Sequence, residues 1–353
     1  MDLQDRIESF SELGRVLTDY LTAASDPREN QYLSLEQSLK EAETENPWFT
    51  RTNILYAMAE IARTLQRDML ERWLSSYPKK DLDPVSPKQV GVVMAGNIPL
   101  AGFHDFISTL ISGHIFCGKL SSRDKILLKA LSEILIKINP EFVPRINFVE
   151  TTLPACDGYI ATGSNNSQRY FEYYFSNRPH LFRKNRNGAG VLSGTETSQQ
   201  LERLSDDVFL YFGLGCRSVS KIFVPRNMDF SILFNAFEKY SFVKDHHKYA
   251  NNHAYYGAVL QMNRVPHLDN GFLLLKQDTS VSSPTGILYY DWYDHPEDLE
   301  GKLLAHKDNL QCIVSEMSLS QRTVPLGCSQ KPELWEYADN VDTLIFLINL
   351  GKN

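Results

Sequence analysis

The chain predicts an α/β fold, with two Rossmann-like α/β lobes behind a helical N-terminal region. Three features carry that expectation. In "NILYAMAEIARTLQRDMLERWLSSY" apolar residues recur at three- and four-residue steps (Ile54, Leu55, Met58, Ile61, Leu65, Met69, Trp73), the period of a helix with one buried face. From Val90 onward, short apolar runs alternate with helical stretches, which indicates βαβ units and a parallel sheet covered on both faces. With 353 residues, 42% of them hydrophobic, the chain is long enough for two domains with their own cores.

Taken in order, the helical region reads as stopping at Pro78. "KKDLDPVSPKQ", with two prolines and several charges, then reads as a connector. "QVGVVMAG" follows as strand, "PLAGFHDFISTLISG" as helix, "HIFCGKLS" as strand, "RDKILLKALSEILIKI" as helix and "RINFVE" as strand. "DGYIATGS" is a strand and turn, "SQRYFEYYFSN" a helix and "AGVLSG" a buried strand. "TSQQLERLSDDVFLYFGLG" runs as a helix into a glycine-flanked cysteine, and "SVSKIFVP" leaves it as a strand. Further strands are expected at "GFLLLK", "GILYYDWY", "LQCIVSE" and "TLIFLINL", with helices between them. The expected divisions are 1–86 for the helical region, 87–196 for the first lobe, 197–325 for the lobe with the cysteine, and 326–353 for a segment returning to the core or to a dimer partner.

Composition excludes several function classes. A formal charge of −7 without a basic block argues against nucleic acid as a partner. The five cysteines are far apart, with no CxxC pair and no Cys/His cluster at ligand spacing, so neither a disulfide framework nor a metal site is expected. A reducing, cytoplasmic setting follows. "MDLQDRIESFSELGR" is charged and amphipathic, and no run approaches the ~18 to 20 apolar residues of a membrane span.

Four stretches carry candidate chemistry. In "MAGNIPLAG" the strand 90–94 ends in Ala95-Gly96-Asn97, with Pro99 where the first turn of a helix tolerates it. Such a turn lies at the carboxyl edge of a parallel sheet and offers Asn97 to the crevice there; the plainer reading is an Asx turn. The dinucleotide fingerprint GxGxxG is absent from it. "CGKLSSRDK" places Lys119, Ser121, Ser122 and Arg123 at another strand end, suited to an adenosine ribose or a phosphate. Arg123 favours a 2′-phosphate, hence NADP over NAD, although Asp124 opposes it and Ser122 also reads as a helix N-cap. "ATGS" brings Thr162, Gly163 and Ser164 to a third strand end. In "YFGLGCRSVSK", Gly213 and Gly215 clear the backbone around Cys216, and Ser218 and Ser220 make its surroundings polar. A nucleophilic thiolate needs positive charge or N–H groups nearby, for which Arg217 is a candidate. Cys117, Cys156 and Cys312, in or beside apolar strands, read as core residues.

The order "GNIPLAGFHDF", "GKLSSRDK", "IATGSNNS", "NRNGAGVLSG", "GLGCRSVSKIFVP" and "PLGCSQKPELWEYADNVDTLIFL" resembles the fatty acyl-CoA reductases of the bioluminescence type, a branch of the aldehyde dehydrogenase superfamily, over residues 45 to 350. The resemblance implies an aldehyde-dehydrogenase-like fold whose first lobe binds a nicotinamide nucleotide. It implies Cys216 as the acyl-accepting nucleophile and Asn97, with the Cys216 N–H, as the oxyanion hole. Lys119 and Ser121 match adenine-ribose contacts, and Thr162-Gly163-Ser164 matches the turn beside the pyrophosphate. The implied reaction reduces an acyl-CoA or acyl-carrier thioester to a fatty aldehyde, with NADPH as cofactor and NADH as the alternative.

Two departures bear on that reading. Where hydrolytic members carry a glutamate that activates water, "KNRNGAGV" offers Asn185 and Arg186 and no carboxylate, so a thioester intermediate would persist until hydride or a thiol reached it. The chain is also short, with little room for an oligomerisation hairpin ahead of the first strand. A homodimer through the strand "TLIFLINL" is weighed against pairing of that strand within its own domain, which is favoured. The competing functions are a cysteine-dependent acyltransferase or thioesterase on the same fold, and a non-catalytic scaffold subunit. "YFEYYF" reads as core packing ahead of an acyl tunnel, and His104, His246 and His247 are left without an acid or base role.

Overall fold

A computed structural model describes residues 1–22, 30–163 and 165–352. Ser164, expected at the cofactor edge, lies outside the described residues. The chain divides into two compact units, Met1–Lys184 with Glu333–Asn353, and Asn185–Pro332.

The first unit opens with α1 (Leu3–Leu21), α2 (Asn30–Glu45), α3 (Arg51–Thr64) and α4 (Arg67–Leu74). Asp2 starts α1 with a capping box, its side chain accepting the Asp5 N–H while Asp5 returns the bond. The sequence period read as one long helix is two: the chain breaks at Leu65-Gln66, where the fully buried Leu65 closes against Gly14 of α1. β1 (Gln89–Val93), α5 (Phe103–Ile111), β2 (Ile115–Lys119), α6 (Leu127–Ile138), β3 (Ile146–Val149), β4 (Gly158–Thr162), α7 (Asn165–Phe175) and β5 (His180–Arg183) follow. The strands are all parallel, in the order β3-β2-β1-β4-β5. Phe10, Leu13 and Leu17 of α1 share a core with Phe106 and Leu110 of α5, Leu131 and Leu135 of α6, and Phe116 of β2. The buried Arg6 ties α1 into this body through the carbonyls of Ile111 (3.0 Å) and Leu82 (2.6 Å) and the Asp83 carboxylate (2.7 Å). The helical region and the first sheet therefore make one unit.

The second unit holds β6 (Asn187–Val191), α8 (Ser198–Phe209), β7 (Val219–Pro225), α9 (Phe230–Phe237), α10 (His247–Met262), β8 (Leu268–Asp269), β9 (Leu274–Gln277), β10 (Ile287–Tyr293), α11 (Pro296–Ala305) and β11 (Leu310–Val314). Its sheet runs β11-β6-β7-β10-β9-β8, parallel except for the short β8. Because β6 belongs to this sheet, the chain enters the second unit at Asn185, where the sequence reading kept 87–196 together, and leaves it at Glu333.

Back in the first unit, "TLIFLINL" is not a strand: it is the helix α12 (Thr343–Lys352). Asp342 accepts the Ile345 N–H at 2.9 Å at its start, and Leu344, Leu347 and Ile348 are buried in the same core as α5. Arg183 anchors it further, bonding Asp105 of α5 at 2.7 Å and the Thr343 hydroxyl at 2.8 Å. A homodimer through a C-terminal strand is thereby overturned, since there is no strand to pair. No described helix is long and apolar enough to cross a membrane.

Candidate active site

Within the first unit, β1, β2 and β4 are adjacent and parallel, so their carboxyl ends share one edge. Val93 lies opposite both Lys119 and Ala161, and the Met94 N–H extends the pairing to the Lys119 carbonyl at 3.1 Å. Asn97 follows four residues past Val93, and Thr162 and Gly163 directly follow Ala161. The chain order runs outward from β1 to β2 and β3 on one side, then crosses to β4 and β5 on the other. The gap between β1 and β4 is therefore a topological switch point, the place where open α/β sheets bind ligands. Asn97, Lys119, Ser121, Thr162 and Gly163 are half-buried there, and Ser122 and Arg123 are exposed.

The turn after β1 differs from the sequence expectation. Pro99 does not begin a helix; α5 starts at Phe103, with Gly102 ahead of it. Between them Leu100 has φ +58°, a left-handed conformation that costs a branched residue about 1–2 kcal/mol. Asp124, 7% exposed, holds it by accepting the Leu100 N–H at 2.8 Å. Ser122 is likewise no N-cap, since α6 begins at Leu127; instead the Ser121 hydroxyl accepts the Arg123 N–H at 3.2 Å in a local turn. Asp124 therefore faces the Asn97 turn rather than a ribose.

Burial pushes the Asp124 carboxyl up to about 6, against about 3.9 in an unfolded chain. The folded state thus binds more protons between those values, and this group's contribution to stability is lost as pH rises through that window. Asp124→Ala leaves the buried Leu100 N–H without its acceptor. It is expected to lower unfolding free energy by about 1–3 kcal/mol at pH 5 and to flatten the slope between pH 4 and 6. Urea titrations at several pH values measure both effects.

In the second unit, α8 passes into a left-handed turn in which Tyr211 (φ 54°), Phe212 (φ 57°) and Gly213 (φ 72°) take positive φ in succession. Two bulky aromatics in this region are a real cost, of the kind that concentrates at functional sites. The Phe212 ring packs on His246, with centroids 4.3 Å apart. Gly215 to Ser218 then form a turn closed by the Ser218 N–H on the Gly215 carbonyl at 3.0 Å, with Cys216 and Arg217 at its apex. Cys216 is exposed. The turn sits tightly on β6: the Gly188 N–H reaches the Ser218 carbonyl at 2.9 Å, and a Cβ at Gly188 would stand 2.5 Å from the Arg217 carbonyl oxygen. Only glycine permits that approach.

The remaining thiols are placed differently. Cys117 and Cys156 are buried together in a small cluster with Leu153 and Tyr159, and burial beside Cys117 pushes the Cys156 thiol up to about 12. Cys312 is half-buried on β11, with its sulfur 3.6 Å from the Arg217 carbonyl. Arg217 directs Nε to the Ser329 carbonyl, and Arg186 directs Nη1 to the Leu310 carbonyl at 3.3 Å.

No protein-family model matches the chain, and no curated protein does. Solved structures do match. Aldehyde dehydrogenase 21 of Physcomitrella patens in complex with the reaction product succinate is similar with a TM-score of 0.69 at 13% identity, over 99% of this chain and 84% of that one. The chain has the aldehyde dehydrogenase fold. A mutant aldehyde dehydrogenase C of Pseudomonas syringae in complex with NAD+ and octanal shares it with a TM-score of 0.61 at 12% identity, over 89% and 72% of the two chains. Mycobacterium tuberculosis aldehyde dehydrogenase in complex with NAD+ does so with a TM-score of 0.57 at 15% identity, over 83% and 70%.

On this aldehyde dehydrogenase fold, the first unit gathers Asn97, Lys119, Ser121, Thr162 and Gly163 on one sheet edge, and the second presents Cys216 between α8 and β7. Sequence reading missed the carboxylate of Asp207 and took Asp124 only as opposing a 2′-phosphate, not as the support of Leu100. Asp207 interrupts the buried face of α8, three residues after Leu204, and that misplaced charge was its available signal. His104 packs half-buried against Trp73 and Tyr337 and bonds the Leu334 carbonyl at 2.8 Å, a structural role. In α7, Phe171 and Phe175 pack inward while Tyr170, Tyr173 and Tyr174 are exposed, so the core reading of "YFEYYF" holds only for its phenylalanines.

Proposed function

We propose that the protein reduces a fatty acyl-CoA or acyl-carrier thioester to an aldehyde, through an acyl group carried on Cys216 and with NADPH as reductant. The observation that supports it most is an exposed thiol at the apex of a polar turn, whose backbone rests on a glycine of the neighbouring strand. The family resemblance of the spaced motifs and the aldehyde dehydrogenase fold support it as well.

The first sheet edge suits a dinucleotide on a structural ground. A Cβ at Gly163 would stand 2.8 Å from that of Ser167, so the end of β4 lies against the first turn of α7, and a helix N-terminus offers N–H groups to a pyrophosphate. Lys119 and Ser121 would hold the adenosine ribose, and Arg123 a 2′-phosphate. Bound NADPH supplies the hydride.

The protein's own groups do the rest. The Cys216 thiolate attacks the thioester carbonyl, and the carbon–sulfur bond to the donor breaks to release a thiol. The Asn97 amide and the Cys216 N–H donate to the oxyanion, each supplying about 3 kcal/mol as in other acyl transfers. With Asn185 and Arg186 where hydrolytic enzymes keep a carboxylate, water is not activated and the acyl-enzyme waits for reduction. Collapse of the resulting thiohemiacetal forms the aldehyde and frees the Cys216 thiolate.

Mixing the protein with NADPH and a long-chain acyl-CoA tests this: reduced-cofactor absorbance falls in step with thiol release. Thiol release without cofactor loss would instead mark an acyltransferase or thioesterase. Arg123→Ala is expected to raise KM for NADPH about tenfold, the loss of one charge-assisted contact, and to leave KM for NADH within about twofold. Initial rates with the two cofactors measure the difference.

A further inference from the structure

We infer that Asp207 is a positioning residue for the Cys216 turn, acting through the segment 326–330; the inference rests on Cys216 being the acyl acceptor. Asp207 is 1% exposed on α8, where a carboxylate is costly unless its oxygens are bonded. They are bonded to backbone far along the chain: the Gly327 N–H donates at 2.6 Å and the Ser329 N–H at 2.8 Å. The segment held in this way touches the turn at the two residues that follow Cys216. The Ser329 carbonyl accepts Arg217 Nε. The Gln330 amide donates at 3.1 Å to the Ser218 hydroxyl, which accepts the Gly215 N–H at 3.1 Å and so reaches the residue ahead of Cys216.

The three links form one connected network: the Asp207 carboxylate, the segment 326–330, and the residues around Cys216. Each bond orients the next, and the loss of any one loosens the turn that carries the Cys216 sulfur. Gln330 is 7% exposed and Ser218 fully buried, so water does not replace the lost partner readily.

The test is the second-order rate of Cys216 alkylation by iodoacetamide in the full chain at pH 7, followed by peptide mass mapping. Asp207→Asn and Gln330→Ala are compared with the unaltered protein, with thermal melting to confirm folding. Loosening the turn disturbs the placement of Arg217, the cation next to Cys216 that the Ser329 carbonyl holds, so both variants are expected to slow Cys216 at least about threefold, while Cys117, in the other unit, keeps its rate. A folded D207N whose Cys216 slows by less than that overturns the inference. If D207N does not fold, the Q330A rate decides by the same threshold. Alkylation needs neither acyl-CoA nor NADPH, so failure here is distinct from failure of the reductase reading, which shows as absent cofactor oxidation.

Discussion

Cys216→Ala is expected to abolish aldehyde formation, leaving less than about one part in 10⁴ of the rate, as when other covalent catalysts lose their nucleophile. The size of the effect follows from the chemistry. Without the sulfur there is no atom to carry the acyl group, and a resting thioester accepts hydride poorly. The substitution sits on an exposed turn, so melting temperature should move by no more than about 2 °C, as expected for a surface change. Loss of cofactor oxidation with the fold intact is the measurement. Retained oxidation would place the chemistry elsewhere, and the buried Cys117 and Cys156 are poor substitutes.

The next largest effect is expected at Asn97. Removing one preorganised donor from an oxyanion site costs about 10²–10³ in kcat, so Asn97→Ala should slow thiol release from acyl-CoA by that factor. Asn97→Asp should be worse, because it replaces a donor with a negative charge where negative charge develops. Asn97→Ala removes a donor and adds no charge, so alkylation of Cys216 by iodoacetamide should keep its rate in that variant. Pre-steady-state thiol release, read beside the alkylation rate, separates loss of oxyanion stabilisation from loss of the nucleophile.

Much of the first sheet was legible because its strands are buried runs between turn residues. "QVGVVMAG", "HIFCGKLS" and "DGYIATGS" each end in Gly or Ser, and each became a strand at the expected place. β5 went unread because "HLFR" is four residues long with polar neighbours, and only pairing with β4 makes it a strand. "TLIFLINL" misled for the opposite reason. Its continuous stretch Leu344 to Ile348 has no polar residue to separate a period of 2 from one of 3.6; the N-cap at Asp342 and the Arg183–Thr343 bond decide for helix.

The candidate site was legible in the residues proposed to react and not in their supports. Small residues around Cys216 and the Asn-Ile-Pro turn announce themselves in sequence. Tyr211, Phe212 and Leu100 at positive φ do not, since bulky side chains disfavour that region and nothing in their own residue types marks the exception. Leu100 depends on Asp124, twenty-four residues away, and the Cys216 turn depends on Ser329 and Gln330, both more than a hundred residues downstream.

The most direct measurement is the intact mass of the protein after brief exposure to a long-chain acyl-CoA with no nicotinamide nucleotide present. A single added acyl group, mapped to the peptide containing Cys216 and removed by hydroxylamine, is the predicted result. An unchanged mass, or an acyl group on any other residue, would contradict the account.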